Sequence, residues 1–286
     1  MGSCAAPSAK GDDKFITTDY LQQCPFVCAI YFLQRTATRP NTRIYLPLEN
    51  GLTPFHVVVV TCSVIHVMSF LDEENMSSLI FYTDEAQALI VTDTLAVTDN
   101  GEPLSFVSKA GYIPQLRTII AGTGAGGFSN TWLLEASTRM VVSGIQNLNY
   151  HTSACLRRLW KQYKHDHAIP SSSTVTTSVY QFAICEETGN IVSFAYRSVH
   201  DFESEQLQYG TGVKPECQIL DGDLLQTIPV MMNEQRAIQA TYPHPERIHI
   251  GGEMIAHYLT SSMYQCFKIG EFEDFRTQGE YILSRI

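Results

Sequence analysis

Ser77, Asp93 and Lys109 stand sixteen residues apart and then sixteen again, threaded through apolar runs that are broken by turn residues. Residues 79–82 and 88–91 read as two strands joined by the turn Thr83-Asp84-Glu85-Ala86. A second turn over 99–103 precedes a short strand at 104–107, and 116–121 reads as a further buried-type strand. Met76 stands directly before Ser77. A chain beginning at Ser77 would carry a hydroxyl nucleophile and a free α-amine on one residue. An α-amine titrates near ~8, so it can take a proton at neutral pH without a histidine.

Helices are expected over 129–142, 152–164 and 232–241, with Gly144 and Asn147 interrupting between the first two. Strands are expected at 179–185 and 191–196 around the hairpin turn Glu187-Thr188-Gly189-Asn190, then at 248–250, 254–259 and 264–269. Pro170-Ser171-Ser172-Ser173 is a loop. Strands, a helix pair, strands, a helix and strands again predict an α+β fold, two sheets packed face to face between helix layers.

Residues 1–75 do not share this regularity. They form an N-terminal extension, either a propeptide or an upstream in-frame stretch ahead of a start at Met76, with 76–286 as the main domain. The upstream stretch is preferred. The apolar run at 55–71 is interrupted by His56, Thr61, Cys62, Ser63 and His66, and is slightly short for a membrane span. Met1-Gly2 invites a myristoylation reading, but Ala6 stands where Ser or Thr is required.

A formal charge of −10 and the lack of a basic stripe argue against a nucleic-acid partner. Arg157, Arg158, Lys161 and Lys164 fall within one expected helix and read as its solvated face. Of the scattered cysteines only Cys24 and Cys28 lie close together, which favours a reducing, cytoplasmic setting over a disulfide framework. His165-Asp166-His167 reads as a solvated helix end rather than a metal site, and no cofactor is implied. Gly122-x-Gly124-x-x-Gly127 matches the dinucleotide fingerprint literally. Two helices follow it where a second parallel strand ending in an acid belongs, so the glycines read instead as a tight turn with close helix packing.

With that outline, the segment from Ser77 to about Cys185 resembles the proteasome β-subunit family of N-terminal nucleophile (Ntn) hydrolases, and looks closest to the bacterial peptidase that works with an unfolding ATPase. The family's nucleophile, aspartate and lysine follow the intervals of Ser77, Asp93 and Lys109. Residues 119–128 resemble its strand, glycine turn and first helix. The resemblance implies a four-layer αββα sandwich and amide-bond hydrolysis, with Ser77 as nucleophile, its α-amine as base, and Lys109 held charged by Asp93. It implies oxyanion donors at Gly122 and Thr123, a homo-oligomeric ring, a peptide or protein substrate, and an unfolding ATPase as partner. Gly210-Thr211-Gly212 resembles the turn before the family's third helix, and Gly251-Gly252 the double glycine near its last strands, with Arg247 in place of the expected acid. A noncatalytic subunit of the same fold and a small-molecule amidase are the alternatives.

Overall fold

The computed structural model describes residues 77–98 and 100–285. The readings made for the N-terminal extension, the run at 55–71, Met76, Cys24 and Cys28 lie outside the described residues.

Two five-stranded antiparallel sheets form the centre of the fold. The first contains β1 (Leu79–Thr83) and β2 (Gln87–Asp93). A small hairpin follows, β3 (Leu95–Val97) with β4 (Pro103–Phe106). The second sheet opens with β5 (Ala110–Ile113) and β6 (Thr118–Gly124). Helices α1 (Phe128–Thr138) and α2 (Ile145–Asp166) come next, then β7 (Thr177–Ile184), β8 (Ile191–Arg197) and β9 (Ser204–Gln206) complete that sheet. The chain returns to the first sheet through β10 (Gly210–Lys214), α3 (Leu224–Gln239), β11 (Glu253–Thr260) and β12 (Tyr264–Glu271), and ends in α4 (Phe275–Leu283). Strand order is β10-β1-β2-β11-β12 in the first sheet and β5-β6-β7-β8-β9 in the second.

Period-two alternation sorts the side chains into three apolar layers. Leu79, Ile90, Ile119, Ala121, Tyr180 and Phe182 fill the gap between the sheets. Ile120, Val179, Phe128, Trp132 and Leu156 pack the second sheet against α1 and α2. Ile80, Val91, Ile228, Met231 and Met232 pack the first sheet against α3. The layering is helix, sheet, sheet, helix, as the order of elements predicts.

Several boundaries differ from expectation. Helix α2 starts at Ile145 rather than at 152, because the Glu186 carboxylate accepts from the Ile145 and Gln146 N–H groups at 2.9 and 3.3 Å. A distant acid thereby satisfies the first turn's orphan donors and complements its dipole. Helix α3 starts at Leu224 rather than 232, capped by Asp223, whose side chain accepts from the Leu225 N–H at 3.0 Å. Residues 248–250 form no strand. Gly210-Thr211-Gly212, read as a turn, lies inside β10. Its central glycine stands opposite Phe81 in register, and a Cβ there would sit 2.2 Å from the Phe81 ring. The ring fills the place that a side chain would take.

Candidate functional site

Asp93 is the last residue of β2 and is fully buried. Both carboxylate oxygens are filled by donors. Oδ1 accepts from Lys109 Nζ at 2.8 Å and from the Ser78 N–H at 3.0 Å; Oδ2 accepts from Lys109 Nζ at 2.9 Å and from the Gly251 N–H at 3.2 Å. Burial pushes the carboxyl pKa up, and the Lys109 ammonium and the two amides pull against it. With donors at every contact and no acceptor to receive a carboxyl proton, the geometry is that of an ionised carboxylate.

Lys109 stands one residue before β5 and is presented by a braced loop. Ser108 Oγ donates to the Ala110 carbonyl at 2.6 Å, Asn130 Nδ2 on α1 donates to the Ser108 carbonyl at 3.2 Å, and the Gly122 N–H donates to the Lys109 carbonyl at 3.2 Å. The lysine side chain is mostly buried. Ser77, also buried, directly precedes the residue whose amide holds Asp93. Covalent lengths and these hydrogen bonds put Ser77 Cα no more than about 9 Å from Lys109 Nζ. Ser78 Oγ donates to Gln235 on α3, so alternation turns Ser77 to the opposite side, the face of Leu79 and the gap between the sheets. Asp93 and Lys109 are therefore in direct contact, and Ser77 stands one residue before the amide that donates to Asp93.

Gly122 is a correction. Its N–H is spent on the Lys109 carbonyl, and it lies within β6 rather than in a turn, so it is not available to an oxyanion. Thr123 is a second. It pairs with Ser178 in register, and the ladder alternation that gives the Ala125 N–H to the Thr176 carbonyl directs the Thr123 N–H to Ser178. The glycine run has the packing role expected of it. A Cβ on Gly122 would fall 2.3 Å from Ser129 Cβ, and Gly127 takes φ +77° to start α1. The strand after α2 pairs antiparallel with β6, so the parallel neighbour that a dinucleotide site requires is not there.

Gly251-Gly252 has a direct structural role. The Gly251 N–H binds Asp93 while its carbonyl accepts from the Thr94 and Leu95 N–H groups at 3.2 and 3.1 Å. Gly252 takes φ +79°, and a Cβ there would lie 2.3 Å from Thr94 Oγ1. The pair wraps the backbone around the end of β2.

Sequence reasoning missed Lys214 and Ser178. Lys214 ends β10 opposite Leu79, on the gap face, and its Nζ donates to Ser178 Oγ on β7 at 3.0 Å. Two lysines thus bridge the two sheets in opposite directions. Lys109 comes from the second sheet to Asp93 of the first, and Lys214 from the first to Ser178 of the second. Ser77 enters on β1, between the strands of Lys214 and Asp93. Burial first, then the Arg197 charge, lowers the Lys214 pKa. The signal in the sequence was a lone lysine before Pro215, too weak to single out.

Elsewhere, His165 Nδ1 lies 3.2 Å from Asp166 Oδ1, and His167 Nδ1 contacts the Tyr163 carbonyl at 2.8 Å, so these three residues at the end of α2 are engaged locally. Among the described residues no helix is long and apolar enough to cross a membrane.

No family model and no curated protein matches this chain. Among solved structures it is similar to Anbu (ancestral beta-subunit) from Yersinia bercovieri, at 12% identity and a TM-score of 0.48, over 73% of this chain and 95% of that one. At that distance the likeness bears no weight, and the chemistry has to be argued from the site itself.

Proposed function

We propose that this chain is a proteasome-like Ntn hydrolase with the four-layer fold of that group, cleaving peptide or amide bonds through Ser77. The observation that carries the reading is the buried Lys109–Asp93 pair, clamped to the amide of Ser78 and so held next to Ser77. A serine hydroxyl needs a base, and the α-amine of a chain starting at Ser77 is in covalent reach of its own Oγ. The Lys109 ammonium favours the neutral, proton-accepting form of that amine and stabilises the alkoxide that forms. Asp93 keeps the lysine charged and oriented.

In this reading Ser77 Oγ attacks the amide carbonyl while the α-amine takes its proton. The same proton passes to the leaving nitrogen, and water then hydrolyses the ester. For the oxyanion the amide best suited is that of Gly124. Alternate amides of β6 point toward the β5 edge; Gly122 meets Lys109 there, and Gly124 lies beyond the end of β5. A ring assembly, a cytoplasmic setting and an unfolding ATPase are part of the same proposal.

The noncatalytic alternative keeps residues 1–76 attached, which turns the Ser77 nitrogen into an amide with no basicity. Intact mass of the purified protein together with turnover of a fluorogenic peptide tests the choice. A chain beginning at Ser77 with activity that Ser77→Ala removes is the expected result. A mature chain beginning at Met1 would sink the mechanism.

A further inference from the structure

We propose that Lys214 is a specificity-determining residue that receives a carboxylate of the substrate, close to the bond that Ser77 cleaves. The inference rests on the hydrolase reading for its catalytic consequence, but its binding test does not depend on turnover.

Three observations carry it. First, Lys214 is a largely buried cation with no acidic partner among the ion pairs of the described residues; its ammonium donates to the neutral Ser178 hydroxyl. The neighbouring charge acting on it is Arg197, also positive and itself committed to Glu205. Lys109 is likewise neutralised by Asp93, so among the described residues Lys214 is the cation at this end of the gap without an acidic partner. A buried charge without a counter-ion is costly, and an incoming carboxylate offsets that cost. Second, the gap face beside Ser178 holds a spare polar atom. Thr123 Oγ1 is buried without a hydrogen-bond partner, and Thr123 stands beside Ser178 in register, on the gap face. Third, the register sets the distance. Lys214 faces Leu79, two residues from Ser77 on the same face, a diagonal of about 7–8 Å between Cα atoms. An extended peptide advances ~3.3 Å per residue, so a carboxylate on Lys214 belongs one or two residues from the carbonyl at Ser77.

A substrate carboxylate can be an Asp or Glu side chain or the free end of a chain, and the test separates them. The full-length Ser77→Ala protein, which cannot turn over, is titrated calorimetrically with N-acetylated tetra-alanine analogues. One ends in glutamic acid amide, one in glutamine amide and one in glutamine with a free carboxyl end. Either carboxylate-bearing peptide is expected to bind on the order of tenfold or more tightly than the neutral one at low salt, a charge-assisted contact. The tighter of the two identifies the source. Lys214→Met should bring all three within about twofold of one another, a difference of a few tenths of a kcal/mol. Lys214→Gln, which keeps a donor for Ser178 but no charge, should do the same, and Lys214→Arg should retain the preference. Equal affinities in the parent, or a preference that survives both neutral variants, overturns the proposal. Turnover of a neutral peptide by the unsubstituted protein is read separately. Ser77-dependent turnover without a Lys214-dependent preference leaves the hydrolase and removes this inference. The preference without turnover leaves the carboxylate site and removes the hydrolase.

Discussion

Lys109 Nζ lies 2.8 and 2.9 Å from the two oxygens of Asp93, joining a residue at the edge of one sheet to the last residue of a strand in the other. Removing one partner leaves a buried charge alone. Lys109→Ala is expected to cost about 3–5 kcal/mol of unfolding free energy. The double variant Lys109→Ala/Asp93→Asn, which removes the lone charge but keeps an acceptor for the backbone amides, should recover part of that loss. Chemical denaturation of the three proteins decides the matter, and a double variant no more stable than Lys109→Ala would show that the pair is not coupled.

Ser77→Ala should leave the melting temperature within a degree or two while reducing peptide turnover by three orders of magnitude or more, on the scale of losing a nucleophile. Ser77→Thr keeps a hydroxyl and an α-amine and should retain measurable activity. A Ser77→Ala protein that still hydrolyses peptide at the parent rate would move the chemistry elsewhere.

Gly122 allows α1 to approach β6. Gly122→Ala places a methyl group 2.3 Å from Ser129 Cβ and is expected to destabilise by about 1–3 kcal/mol. Adding Ser129→Gly opens the space again and should restore part of the loss. No recovery in the double variant would mean that backbone contacts such as the Ser178 carbonyl, 3.3 Å from the added atom, set the cost.

Acid should weaken the fold through His257. This imidazole is buried in the gap, 2.9 Å from the Tyr264 hydroxyl, and burial pushes its pKa down to about 4 from the usual 6.5. Between those values the unfolded chain binds the proton and the folded chain does not. Its contribution is therefore intact above about pH 6.5 and is lost as pH falls toward 4, with a slope of up to about 1.4 kcal/mol per pH unit. Denaturation at about pH 7 and pH 5 should show a smaller acid loss for His257→Gln than for the parent. Equal losses would assign the acid sensitivity to other groups.

What the chain determines locally was open to reading. The apolar runs of β1, β2, β7, β8, β11 and β12 lie between turn signals, and a strand or hairpin announces itself through its own pattern. The interval from Asp93 to Lys109 pointed to two residues that do meet, and the interval before it to Ser77, one residue from the amide that Asp93 accepts. Strand β10 was hidden because its glycines read as a turn; it is a strand because β1 supplies the ladder and Phe81 fills the empty side. The early start of α2 was hidden because its cap, Glu186, comes from beyond the helix's other end. The amides of Ser78 and Gly251 that donate to Asp93, the occupied amide of Gly122 and the contact between Lys214 and Ser178 are likewise products of register. Periodicity fixes which face a side chain takes, but which distant strand lies opposite that face is decided only when the sheets pair and pack.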